Sequence, residues 1–131
     1  MNFMRHTLRY VFPALFWGAL IFFESSIPGT RLPSFARLIN DKVVHAAIYC
    51  VFGLLIYRAL ATREAPNAFS WRRSMIAVTI VVLYGLSDEF HQGFVPGRTK
   101  DILDAAADTG GGLLSMMIVW MKSRLQSERE G

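Results

Sequence analysis

Tyr84-Gly85-Leu86-Ser87-Asp88-Glu89-Phe90-His91-Gln92-Gly93-Phe94-Val95-Pro96-Gly97-Arg98-Thr99-Lys100-Asp101-Ile102-Leu103-Asp104-Ala105-Ala106-Ala107-Asp108 is the stretch on which the reading of this chain turns. It sets six acidic residues and amides, one histidine and two cations between long apolar runs, with Asp88, Glu89, His91 and Gln92 on one side of a Pro-Gly turn and Asp101, Asp104 and Asp108 on the other. Ionisable groups beside hydrocarbon are expensive, so their presence asks for a functional reason.

Outward from this stretch lie four apolar segments, Tyr10 to Phe23, Val43 to Ala61, Trp71 to Leu86 and Ile102 to Met121. A membrane span needs roughly 20 residues. The second and fourth segments reach that length outright, the first and third when their polar ends are counted. Strand alternation is absent, so the expected fold is all-α, a transmembrane bundle of four helices. At 131 residues the chain has room for a single domain, 1–131. With 53% hydrophobic and 18% charged residues and a mean hydropathy of +0.32, it is too apolar to be disordered. A soluble helical bundle is the alternative to the membrane reading. The net charge of +4 does not point to nucleic acid, because Lys and Arg sit in the gaps between apolar runs and form no stripe interleaved with aromatics. Cys50 is the only cysteine; it excludes an internal disulfide and reads as a small buried hydrophobe. Arg5 and Arg9 precede the first apolar segment, but Glu24-Ser25-Ser26-Ile27-Pro28 offers no small-residue cleavage site, so that segment is expected to stay as a span.

Charge then orients the bundle. Arg5, Arg9, Arg58, Arg63, Arg72, Arg73, Lys122, Arg124 and Arg129 fall on one side, against Arg31, Arg37, Lys42, Arg98 and Lys100 on the other. The positive-inside rule places both termini in the cytoplasm. Tyr10, Tyr57, Trp71 and Trp120 fall at the same cytoplasmic ends, as an aromatic belt would, whereas Trp17 is expected to pack between helices.

With that topology the unusual polar residues share the outer side. Asp41, His45 and Tyr49 recur at i, i+4 and i+8, one face of the second helix. Asp101, Asp104 and Asp108 occupy one face of the fourth, continued by Gly111, Gly112 and Ser115, which are small enough for a close neighbour. Asp108 should lie roughly 10 Å below Asp101 at a rise of about 1.5 Å per residue. A carboxylate at that depth must line a wet cavity, pair with a cation or be protonated. On the third helix Asp88 and Gln92 share a face, with Glu89 offset by about 100°. Pro96-Gly97 fits the centre of a type II turn, which would hold the Arg98 guanidinium over the cluster, where it would clamp a phosphate or carboxylate or, in the bland reading, merely pair with Asp88 or Glu89.

These residues also resemble a family. Ser26-Ile27-Pro28, then Asp41-Lys42-Val43-Val44-His45-Ala46-Ala47-Ile48-Tyr49, Asp88 through Arg98, and Asp104-Ala105-Ala106-Ala107-Asp108-Thr109-Gly110 are similar, in that order and spacing, to the VanZ-like family of small membrane proteins; the resemblance is strongest over residues 24–112. The position of Asp108 is usually asparagine in that family. The resemblance implies a multi-pass protein of the bacterial cell envelope, in the cytoplasmic (inner) membrane. The family's namesake is associated with antibiotic resistance, against the glycopeptide teicoplanin.

Bland roles stand beside the functional ones. His45 can serve as a hydrogen bond between helices, Asp41, Lys42 and Asp101 as solvated helix starts, and Gly110, Gly111 and Gly112 as close-packing positions. The convergence of His45, Glu89, His91, Arg98 and Asp104 favours a site. Its candidate catalytic residues are His45, Glu89 and His91; its candidate binding residues are Asp41, Tyr49, Asp88, Gln92, Arg98, Asp104 and Asp108. Three classes of function fit: a protein that binds or acts on an envelope component, lipid-linked cell-wall precursor or glycopeptide; an acid/base or metal-dependent membrane enzyme on a lipid-linked phosphate; and a small transporter, which would have to be an oligomer because four spans make a thin wall. No cofactor is required. Zinc would accept His45, His91 and a carboxylate, but Glu89-x-His91 lacks same-face spacing and no His-Glu-x-x-His pattern exists, so no metal ligand is assigned.

Overall fold

A computed structural model describes residues 3–31, 40–61 and 69–130. Helix α1 spans Phe12–Ser25 and is led in by a short α-helical turn, Phe3–His6, and a π-helical turn, Thr7–Val11. Helix α2 spans Asp41–Ala59, α3 Trp71–Gln92 and α4 Ile102–Glu130. The described residues contain no strand, in agreement with the expected all-α bundle. The π turn has a local cause. Pro13 has no N–H to give the carbonyl four residues back, which belongs to Arg9, and such a gap in the ladder is where a π turn can form.

The helix ends differ from the expected limits. The third segment runs on from Leu86 to Gln92 and the fourth from Met121 to Glu130, while the second starts at Asp41 and stops at Ala59. Hydrophobicity marks where a helix meets lipid; the helix itself ends where its backbone does. Ser87-Asp88-Glu89-Phe90-His91-Gln92 contains no breaker before Gly93, and the tail of α4 is rich in Lys, Arg, Gln and Glu, which are good helix formers. Caps set the starts. Asn40 accepts from Lys42 N (3.1 Å) at α2, and Ser70 accepts from Arg73 N (3.4 Å) at α3.

Three helices, Thr7–Ser25, Asp41–Ala59 and Ile102–Arg129, are long and apolar enough to cross a membrane. Helix α3 has the length, at 22 residues, but carries Arg72 and Arg73 at one end and Asp88 and Glu89 at the other. The bundle is apolar outside: Leu15, Phe23, Leu83, Leu103 and Leu113 are each more than half exposed. Inside, an aliphatic and aromatic core of Ile21, Tyr49, Phe52, Ile56, Ala77, Val81 and Met116 sits below a polar layer containing Asp88, Glu89, Asp104 and Asp108. Such a surface suits lipid, where exposed leucine meets its own kind of solvent.

Close approach of α2 to α4 holds the polar layer in place. A Cβ at Gly53 would strike Ser115, one at Gly111 would strike the Ala46 carbonyl, and one at Gly112 would lie 2.8 Å from Val81 of α3. Small residues let backbones meet, as expected for this face. Helix α1 leans on α2 and α3 through polar contacts: Trp17 Nε1 donates to Ile48 O (3.1 Å) and Tyr84 OH donates to Gly18 O (2.6 Å). Trp17 thus packs between helices, and Cys50 is buried and free, both as expected.

Candidate functional site

Pro96-Gly97 forms the turn that joins α3 to α4. Gly97 has φ +75° and Arg98 N donates to Val95 O (3.1 Å), the bond of a turn that needs positive φ at its third residue. The turn delivers Asp101 to the start of α4, where its Oδ1 accepts from Leu103 N (2.8 Å). Glu89, near the end of α3, accepts the Asp101 N–H on Oε2 (2.8 Å). One carboxylate thus caps the helix and another fastens the capping residue itself.

Lys42 crosses from α2 to this start. Its ammonium donates to Asp101 Oδ2 (2.5 Å) and to Asp104 Oδ1. The Lys42 contact and the Leu103 N–H hold the Asp101 carboxyl below its ordinary value of 3.8. Sequence reading treated Lys42 as a solvated helix start and missed this bridge. The available signal was topological: if α2 and α4 start on the same side, Lys42 lies level with Asp101 and Asp104.

One turn deeper, His45 Nδ1 lies 2.8 Å from Asp108 Oδ1. Asp108 is fully buried and His45 8% exposed. Gly85 makes room for this pair: a Cβ there would stand 2.9 Å from Asp108 Oδ2. Asp41, two-thirds exposed, lies with Oδ1 4.0 Å from His45 Nε2. The His45 and Tyr49 rings are parallel within 5°, with centroids 6.5 Å apart, and Tyr49 OH donates to Asp88 Oδ2 (3.3 Å). Gln92 Nε2 donates to the same oxygen (3.3 Å). The shared helical faces read from the spacing of Asp41, His45 and Tyr49, of Asp101, Asp104 and Asp108, and of Asp88 and Gln92 all carry these contacts.

Two residues expected in the cluster lie elsewhere. His91 Nε2 is 2.9 Å from Ser26 Oγ. That hydroxyl donates to Phe22 O (2.6 Å), so the imidazole N–H is the donor to Ser26. The ring also stacks on Phe22 at 4.8 Å. Arg98 pairs with Glu24 Oε1 (2.8 Å) and donates to the carbonyls of Glu24 and Ile27 (both 3.2 Å); it does not pair with Asp88 or Glu89. Residue spacing places side chains on a helix face but does not say which neighbouring helix that face meets. Both residues turn toward the end of α1.

Among the described residues, two groups of donors lie close enough to hold a metal ion: Asp41, His45 and Asp104, and His45, Glu89 and Asp108, each with its donor atoms within 4.8 Å of one another. The pairing of His45 with His91 imagined from the sequence is in neither group. Chemically, the arrangement can hold a proton between an imidazole and a buried carboxylate, bind a cation, or supply an acid/base pair.

A family model described as VanZ/LLP1 matches residues 10–123. No curated protein and no solved structure matches the chain.

Proposed function

The chain belongs to the VanZ/LLP1 family and is a membrane protein of that type; from this premise we propose that it works in the bacterial cytoplasmic membrane, with both termini inside, and uses its polar layer at the outer surface to bind or act on a cell-envelope component or a glycopeptide antibiotic. One observation carries the reading: His45, Glu89 and Asp108, from three different helices, bring their donor atoms within 4.8 Å of one another inside the bundle. A fold that needed only to span a membrane would be more stable with apolar side chains there. Lys42 and Asp104 stand at the helix starts above that group and would meet an incoming polar headgroup first. The orientation rests on nine cations against five.

A second reading is favoured by one atom. Glu89 Oε1 is buried without a hydrogen-bond partner among the described residues, as a general base awaiting a substrate hydroxyl would be. On this reading the protein is an enzyme acting on a lipid-linked phosphate.

The test is growth of a sensitive Gram-positive host in teicoplanin, with the intact chain, His45→Ala and Glu89→Gln at matched membrane levels. Protection by the intact chain, lost in both variants, is the expected result. No protection from the intact chain would remove the glycopeptide. Protection that survives Glu89→Gln would remove acid/base catalysis and leave binding. A reporter fused after Gly131 should read cytoplasmic; a periplasmic reading would overturn the shared outer site.

A further inference from the structure

Four carboxylates, Asp88, Glu89, Asp104 and Asp108, are buried in this bundle. Two cationic groups face them: Lys42, already shared with Asp101, and the imidazole of His45. With all four ionised, negative charge is in excess even when that imidazole is protonated, and because a buried ion without a partner is strongly destabilising, the excess must be met by a bound cation or by protons. Asp88 is relieved by the Tyr49 hydroxyl and the Gln92 amide, and Asp104 by Lys42. Glu89 and Asp108 are not fully relieved. Glu89 Oε1 and Asp108 Oδ2 are buried and unpartnered among the described residues, and both belong to residues that group with His45 within 4.8 Å.

We propose that His45, Glu89 and Asp108 bind one divalent transition-metal ion, which is part of the site to which the function above is assigned and rests on that reading for its role. A dication offsets the two charges of Glu89 and Asp108, while Asp88 keeps its hydrogen bonds from Tyr49 and Gln92. The donor set, one imidazole and two carboxylates, suits zinc or manganese. The other group is the weaker candidate, because the Asp41 side chain is 67% exposed and Asp104 is engaged by Lys42. To ligate through Nδ1, the His45 ring must carry its proton on Nε2, which lies 4.0 Å from Asp41 Oδ1. At that distance Asp41 makes no hydrogen bond, but a turn of its exposed side chain would make it the orienting carboxylate of the metal-bound histidine, a common second partner for such a ring. Three protein donors leave a coordination position for water or for an oxygen of the bound ligand.

The experiment uses the full chain in detergent, stripped with chelator, loaded with zinc chloride or manganese chloride, and freed of excess ion. Metal content is read by mass spectrometry and thermal unfolding by circular dichroism. The expected result is about one ion per chain and a raised unfolding midpoint. His45→Gln and Glu89→Gln should each bring occupancy below about a tenth, and Asp41→Asn should weaken binding roughly 10- to 100-fold. Ser87→Ala, at an exposed position two residues before Glu89, should keep the ion. Less than about a tenth of an ion in the intact chain, with no midpoint shift on adding either metal, overturns the proposal, as does full occupancy in both His45→Gln and Glu89→Gln. The intact-chain result holds even if a variant fails to fold. Loss of teicoplanin protection in His45→Ala without any bound metal would sink the metal and spare the envelope role; stoichiometric metal without protection would do the reverse.

Discussion

The two ends of this bundle finish the same four helices with opposite arrangements. At the end that carries Tyr10, Tyr57, Trp71 and Trp120, cations rest on aromatic faces: exposed Arg58 stands 5.1 Å from the Tyr10 ring, exposed Arg124 5.4 Å from Trp120 and half-buried Arg73 4.9 Å from Tyr57. At the other end carboxylates lie inside, with Asp104 at 5% and Asp108 at 0% exposure. Side chains that only need an interface are placed where water can share them. Charges drawn into the bundle must instead be answered by other protein groups or by a bound ion, and the helices are kept close by glycines so that the answer is near.

The comparison breaks most readily at Asp108. Asp108→Ala strands His45 Nδ1 and should cost about 3–5 kcal/mol, whereas Asp108→Asn keeps an acceptor for the ring and should cost about 1–2 kcal/mol; reversible thermal unfolding in detergent measures both. A loss below about 0.5 kcal/mol for the alanine variant would mean that the buried pair does not stabilise its end. Next comes the space that holds the pair. Gly85→Val should cost roughly 1–3 kcal/mol by overpacking against Asp108, while Gly110→Ala, where a Cβ meets nothing within 4 Å, should gain about 0.5–1 kcal/mol from helix propensity. If the two glycines respond alike, close approach is not what fixes the polar layer.

Smaller effects sharpen the contrast. Arg58→Gln at the aromatic end should stay within about 1 kcal/mol, the range of an exposed cation–π contact. Least of all is expected from acid. The Asp101 carboxyl is held low by Lys42 and by the Leu103 N–H. A group whose folded value is depressed adds stability that is present above its unfolded value and is lost as pH falls through the folded one. Unfolding midpoints should therefore not change through Asp101 between neutral pH and about 4.5, and should drop below its ordinary value of 3.8, with Asp101→Asn flattening that part of the curve. A drop already complete at pH 5 would place the acid sensitivity elsewhere.

Much of this was legible before any coordinates. Apolar runs announced helices, and the i, i+4 spacing set His45 over Tyr49 and Asp104 over Asp108, because each pair belongs to one chain segment. The depth of Asp108 followed from rise alone. Pairings between segments were not legible. His91 was assigned to the carboxylates but meets Ser26 and Phe22. Arg98 was set over the cluster but grips Glu24. Lys42, read as a solvated helix start, bridges two acids of α4. Which helix a given face meets is decided by the crossing of whole helices, and here Gly53, Gly111 and Gly112 decide it by letting α2, α3 and α4 close up. Glycine in an apolar run signals such a contact without naming the partner.

The grip of Arg98 on Glu24 joins positions 74 residues apart, and Gly29 N donates to Pro96 O (3.1 Å) across a similar distance. Neither bond can form while the chain is still being delivered to the bilayer segment by segment, because the α3–α4 turn does not exist until α1 has long been in place. The turn therefore closes over the end of α1 as a late event of assembly, and until then Glu24 and the carbonyls of Glu24 and Ile27 lack the guanidinium that ties them down. A copy interrupted before the α3–α4 turn leaves that end of its first helix without the guanidinium.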